Sequence, residues 1–142
     1  MIDVVPPNIV VTAAEPVVTG GNVDFDAPDL FCWLEVASAH DFDTLPFGLV
    51  AMAHDGTVVN YNLAEGELTG LTPERVIGRN FFTSVAPCTN NYMVAHRFEA
   101  EPEIDTSIDY VFTFKLAPMK VRLRLLKRAG SRRMYLAVKK RD

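Results

Sequence analysis

Three stretches in the last third of the chain alternate between apolar and polar residues, and they limit the fold more than any other feature. Over residues 105–116, Ile108, Tyr110, Phe112, Phe114 and Leu116 fall on one side of an extended chain. Over 119–127, Val121, Leu123 and Leu125 alternate with Lys120, Arg122 and Arg124, and 134–139 is a third run. Ala129-Gly130-Ser131 supplies a hairpin turn between the last two. Upstream, 47–53 reads as a buried strand, followed by a turn at His54-Asp55-Gly56 and a partner strand over 57–61. The pattern predicts five antiparallel strands.

Between the hairpin and the last three strands lie short helical segments, predicted over 62–66, 72–77 and 91–100. Thr72 is placed to cap the second, with Pro73 in its first turn, and Gly70 and Gly78 are stops. Strands, then helices, then strands give an α+β domain, a five-stranded antiparallel sheet with helices packed on one face. Ahead of it, residues 1–27 read as irregular, broken by Pro6, Pro7, Pro16, Gly20 and Gly21. A helix is predicted over 26–40, capped by Asp26, with Leu30, Phe31, Trp33, Leu34 and Val36 as its apolar face and Cys32 as a packed small side chain. The expected organisation is an N-terminal extension over 1–41 and a main domain over 42–142.

Composition narrows the function classes. At 142 residues the chain has the size of one domain. It has no apolar run long enough to cross a membrane and no secretory leader pattern. A net charge of −4 argues against a nucleic-acid surface. Basic residues do crowd the last quarter. Lys120, Arg122 and Arg124 are expected to form a solvated sheet face, the alternative being a docking face for an acidic partner. Two cysteines, Cys32 and Cys88, give no disulfide framework and fit a reducing cytoplasm. His40, His54 and His96 are scattered, which argues against a metal site.

The chemistry-bearing stretch runs over 61–89. Tyr61, Glu65 and Thr69 are spaced four apart, about one helical turn, so they are expected on one face of a short helix. Cys88 follows Pro87 in a loop. A thiol can anchor a small cofactor, and a phenol–carboxyl–hydroxyl row can hold its polar end. Each residue also has a plainer reading: a buried thiol, a core tyrosine, a surface carboxylate and a helix-end threonine bonding its own turn.

The motifs YNLAEGELTG, VIGRNFF and VAPCT resemble, in order and without a gap, the photoactive yellow protein family of PAS-fold blue-light receptors. Weaker similarity extends the match over roughly residues 45–127. The resemblance implies a 4-hydroxycinnamic acid chromophore held as a thioester on Cys88. It implies that Tyr61 and a protonated Glu65 donate hydrogen bonds to the phenolate, that Thr69 supports the tyrosine, and that Phe112 and Phe114 form an aromatic wall. Two positions depart from the family pattern. Leu71 stands where well-known members have an arginine over the pocket, and Leu116 where they have a methionine implicated in dark recovery. The implied cycle is trans–cis isomerisation, proton transfer from Glu65, and partial unfolding that signals to a downstream protein, from a monomer or weak dimer. Two other readings remain open: a light-insensitive PAS module for ligand binding or dimerisation, and an enzyme using Cys88 as nucleophile with His96 as the nearest histidine.

Overall fold

The computed structural model describes residues 23–113 and 117–141. Five strands form one antiparallel sheet: β1 (Gly48–Ala53), β2 (Val58–Tyr61), β3 (Ile104–Phe112), β4 (Met119–Lys127) and β5 (Arg133–Lys140). Their spatial order is β2-β1-β5-β4-β3, so the N-terminal hairpin and the C-terminal meander meet where β1 pairs with β5. The alternating patterns set the register. Val121, Leu123 and Leu125 pair with Tyr110, Ile108 and Thr106, which puts the apolar sides of both strands on one face.

On that face pack α3 (Leu63–Thr69), α4 (Pro73–Val76) and α5 (Ala95–Ala100), over a core containing Val50, Met52, Phe81, Phe98, Phe112, Leu123 and Leu136. The α+β class and five-stranded sheet are as predicted, and the main domain's helices lie on one face. The N-terminal helices add a layer on the other. There α1 (Leu30–Val36) and α2 (Ala39–Phe42) bury Phe31, Trp33, Leu34 and Phe42 against Leu49, Ala51, Leu126 and Tyr135. The helix predicted over 26–40 is two helices, because Ser38 and Asp41 form a capping box that starts a new one. Cys32 is exposed, contrary to expectation. Residues 30, 31, 33 and 34 take the inward arc of α1, which leaves position 32 outside.

Arg124 also departs from the expected solvated row. It is 6% exposed, whereas Lys120 and Arg122 are exposed as predicted. Residues 25–27 lie across it. Its guanidinium pairs with Asp105 at 2.9 Å and donates to the carbonyls of Phe25 and Ala27 at 2.9 and 2.7 Å. The helix predicted over 91–100 is confined to Ala95–Ala100, because Asn91 Oδ1 accepts from the amides of Met93 and Val94 and holds the preceding residues in a turn. No helix among the described residues is long and apolar enough to cross a membrane.

Candidate functional site

Tyr61, Glu65 and Thr69 do converge, but not along one helix. Tyr61 ends β2, and the other two lie on α3. The hinge between them is Asn62, which caps α3 and is fully buried. Its Oδ1 accepts from the amides of Leu49 at 2.9 Å and Glu65 at 3.0 Å. Its Nδ2 donates to the carbonyls of Phe42 at 2.8 Å and Phe47 at 3.0 Å. One side chain thereby ties α3 to β1 and to the end of α2. Gly70 closes the helix at φ 81°, a left-handed conformation that glycine adopts without a Cβ clash. Sequence reasoning passed over Asn62. The available signal was an asparagine just before a helical run whose third residue is a glutamate.

Glu65 points into the core and is 0% exposed. Neither carboxyl oxygen has a hydrogen-bond partner among the described residues. Burial alone pushes its pKa up to about 8, so the group is a neutral acid at pH 7. Its seat depends on Gly48, at the start of β1. A Cβ built there would lie 2.1 Å from Glu65 Oε1 and 3.2 Å from the Cα. Glycine leaves room for the carboxyl in this position, a fit invisible without the β1–α3 packing.

Tyr61 is 2% exposed, and its hydroxyl lies 2.7 Å from Thr69 Oγ1. Thr69 Oγ1 also donates to the carbonyl of Glu65 at 3.0 Å. Both readings of Thr69 are therefore present in the geometry, since it bonds its own helix and it contacts the tyrosine. Having one proton, a threonine that donates to Glu65 must accept from Tyr61. Burial raises the Tyr61 pKa, with the nearby Glu65 charge as a second cause, so the phenol keeps its proton at any ordinary pH.

Cys88 sits in a single 3-10 turn, Pro87–Thr89, partly exposed, and packs against the core that contains Tyr61. Thr89 Oγ1 donates to the carbonyl of Ala86 at 2.7 Å and pins the turn. Phe112 is fully buried in that core, its ring 6.2 Å from Tyr110's in an edge-on contact. Leu71 is half-buried beside it. Leu71 lines a cavity of about 230 Å³ with Arg75, Val76, Arg79, Ser84 and Val85, so two arginines share the cavity lined by the position that lacks one. Phe114 and Leu116 lie outside the described residues. His96 is exposed and stacks edge-on with Tyr92 at 5.0 Å. Tyr110 and Asn91 reach the Cys88 backbone, a role that strand alternation alone does not reveal.

The PAS fold family matches residues 40–138. A photoactive yellow protein of Rhodothalassium salexigens is 40% identical over 101 residues, 69% of this chain and 81% of that one. The photoactive yellow protein of Halochromatium salexigens is 35% identical over 83% of this chain and 97% of its own. Among solved structures, the photoactive yellow protein domain of the sensor histidine kinase Ppr from Rhodospirillum centenum superposes with a TM-score of 0.68 at 39% identity, covering 73% of this chain and 94% of that domain. On the extent and identity of these matches, the chain has the PAS fold and belongs to the photoactive yellow protein family.

Proposed function

We propose that this protein is a blue-light photoreceptor whose Cys88 holds 4-hydroxycinnamic acid as a thioester. The observation that carries the reading is Glu65: a fully buried carboxyl, both oxygens without partners, held neutral by burial and set one helical turn from a buried Tyr61–Thr69 pair. An orphaned acid of this kind is costly unless a ligand atom meets it. A phenolate oxygen fits, because a neutral carboxylic acid and a phenol can both donate to it. For Tyr61 to donate there, its proton turns away from Thr69, and Thr69 Oγ1 redirects its own proton from the Glu65 carbonyl to the tyrosine oxygen. The network thus has a ligand-free and a ligand-bound proton arrangement.

When bound, the cinnamoyl group supplies visible absorption and a double bond that light turns from trans to cis. Glu65 would then pass its proton to the phenolate oxygen it faces and remain as a buried carboxylate with no partner for its oxygens among the described residues. A charge so placed costs several kcal/mol, a large share of a domain's stability. Loosening of the fold around α3 relieves it, and that loosening is the signal. The N-terminal extension over residues 1–41 is the part proposed to be released, toward a downstream signalling protein. Family membership speaks against the alternatives of a light-insensitive module and a Cys88-dependent enzyme.

Reconstitution tests the reading. The apo protein is treated with an activated ester of 4-hydroxycinnamic acid, so that Cys88 Sγ displaces the leaving group and loses its proton. The expected result is one added cinnamoyl group, mapped to Cys88 and absent in Cys88→Ala, with a blue-absorbing band that bleaches in light and returns in the dark. Addition at Cys32 alone, or a colourless adduct, overturns it.

A further inference from the structure

At the anchoring turn, the Cys88 backbone carbonyl is gripped by side chains from two elements. Tyr110 Oη, from β3, donates to it at 2.5 Å. Asn91 Nδ2 donates to the same tyrosine oxygen at 2.5 Å and to the carbonyl itself at 3.2 Å. The three groups close a triangle in which each contact aligns the next. Both donors are themselves fixed. Asn91 Oδ1 accepts from the amides of Met93 at 2.9 Å and Val94 at 3.2 Å, so the side chain cannot turn without uncapping the approach to α5. Tyr110 is 8% exposed, and its backbone carbonyl accepts from Arg141 Nη2 at 3.2 Å. Burial raises the Tyr110 pKa, which keeps the hydroxyl a donor at neutral pH.

A carbonyl bonded to its own turn alone can rotate with the peptide plane. One held from the edge strand β3 and from a capping asparagine cannot, and its orientation fixes ψ of Cys88 and hence the direction of the Cα–Cβ bond from which the sulfur hangs. We propose that Asn91 and Tyr110 are positioning residues that lock the Cys88 peptide plane, so that the Cα–Cβ bond bearing the sulfur keeps its direction while the attached group changes shape. The proposal deepens the photoreceptor reading and rests on it. Its consequence is mechanical. With the anchor held, displacement caused by isomerisation is delivered to the Tyr61–Glu65 end, where a proton can move, and is not dissipated by backbone rotation at the cysteine.

Two substitutions separate this role from simple packing. Tyr110→Phe deletes one hydroxyl and keeps the ring. Asn91→Asp keeps the oxygen that caps Met93 and Val94, but offers the tyrosine proton a carboxylate in place of the Cys88 carbonyl. In apo protein, both variants are expected to speed alkylation of Cys88 by iodoacetamide about fivefold, the equivalent of a net hydrogen bond of about 1 kcal/mol. Exposed Cys32 in the same chain is the internal reference and its rate is expected to hold. In reconstituted protein, both variants are expected to lower the photoisomerisation quantum yield. Unchanged Cys88 alkylation in both, or an unchanged quantum yield in a pigment that forms normally, overturns the proposal. Should wild-type protein form no pigment, the photoreceptor reading fails, and the ratio of Cys88 to Cys32 alkylation still decides whether the clamp exists.

Discussion

The two faces of the sheet bury polar groups on different terms. On the N-terminal face, Arg124 is satisfied by Asp105 and by two backbone carbonyls, and Tyr135 donates to Glu35 at 2.6 Å. The indole nitrogen of Trp33 is the exception, buried without a partner, but it is neutral and its cost is modest. On the site face, Glu65 is buried with both oxygens unmet. One face spends its polar groups on holding residues 25–42 against the sheet. The other keeps a titratable group out of water with no hydrogen-bond partner for either oxygen among the described residues. Stability alone would not select the second arrangement, since an apolar side chain of similar size would serve better there. The contrast is a physical reason, independent of any relative, for placing the proposed function on the site face.

The largest expected effect comes from titrating the unbalanced face. The folded protein holds the Glu65 proton up to about pH 8, whereas the unfolded chain releases it near the ordinary value of 4.5. Over that window the folded state binds more protons, so apo-protein stability falls as pH rises from 4.5 and levels off above 8. At about 1.4 kcal/mol per unit, the fall between pH 5 and pH 8 is on the order of 3–4 kcal/mol. Urea unfolding at pH 5 and pH 8 measures it. In Glu65→Gln the slope should flatten. Equal slopes would mean that Glu65 is already ionised at neutral pH and that the two faces do not differ in kind.

The balanced face should respond to loss of a partner and not to pH. Arg124→Ala removes three hydrogen-bonding nitrogens, taking from the Phe25 carbonyl its Arg124 donor and leaving the Ala27 carbonyl with the Leu30 amide alone. Breaking a buried pair costs about 3–5 kcal/mol when the remaining charge stays buried. Asp105 is half exposed and rehydrates, so about 2–3 kcal/mol is expected. Amide exchange around Phe25 and Leu30 should accelerate well beyond that around α3. Uniform acceleration across both faces would show that the two layers do not open separately.

Much of this asymmetry was legible in the sequence, and its gaps have physical causes. Strand alternation revealed the sheet because Ile108, Tyr110 and Phe112 of β3 and Val121, Leu123 and Leu125 of β4 face one core, and a one-residue slip would turn a whole strand's set outward. Glu65 and Cys88 were found through their motifs, not through burial, because nothing local distinguishes a core glutamate from a surface one. Arg124 was read as solvated because its covering residues lie about a hundred positions earlier in the chain. Asn91, Tyr110 and Gly48 escaped for the same reason, since each acts on a partner from another element. The split between α1 and α2 was a local signal, the Ser38–Asp41 box, that a continuous apolar pattern overrode.

The smallest expected effect sharpens the comparison most, because it acts on a single contact of the site face. Gly48 lies opposite Val138 of β5, with its missing side chain directed at Glu65. In Gly48→Ala the new methyl would sit 2.1 Å from Oε1, so the carboxyl must swing aside. The end of a glutamate can swing, but the Cα and Cβ contacts at 3.2 Å are tight and shared with the helix. A cost of about 1–2 kcal/mol is expected, the lower part of the overpacking range. Strand propensity acts in the other direction, as alanine restricts the unfolded chain more than glycine does. A general effect on the strand would therefore appear as unchanged or raised stability. Adding Glu65→Asp shortens the acid by one methylene and withdraws it from the methyl, so the double variant should recover part of the loss relative to the sum of the single changes. Double-mutant coupling of about 1 kcal/mol, measured by urea unfolding at pH 5 where the acid is protonated, is the expected signature. The infrared carbonyl stretch of the protonated Glu65 should also shift in Gly48→Ala, since the displaced acid meets a different environment. Additive stabilities together with an unmoved stretch would show that Gly48 does not seat the carboxyl, and that its place in β1 has another cause.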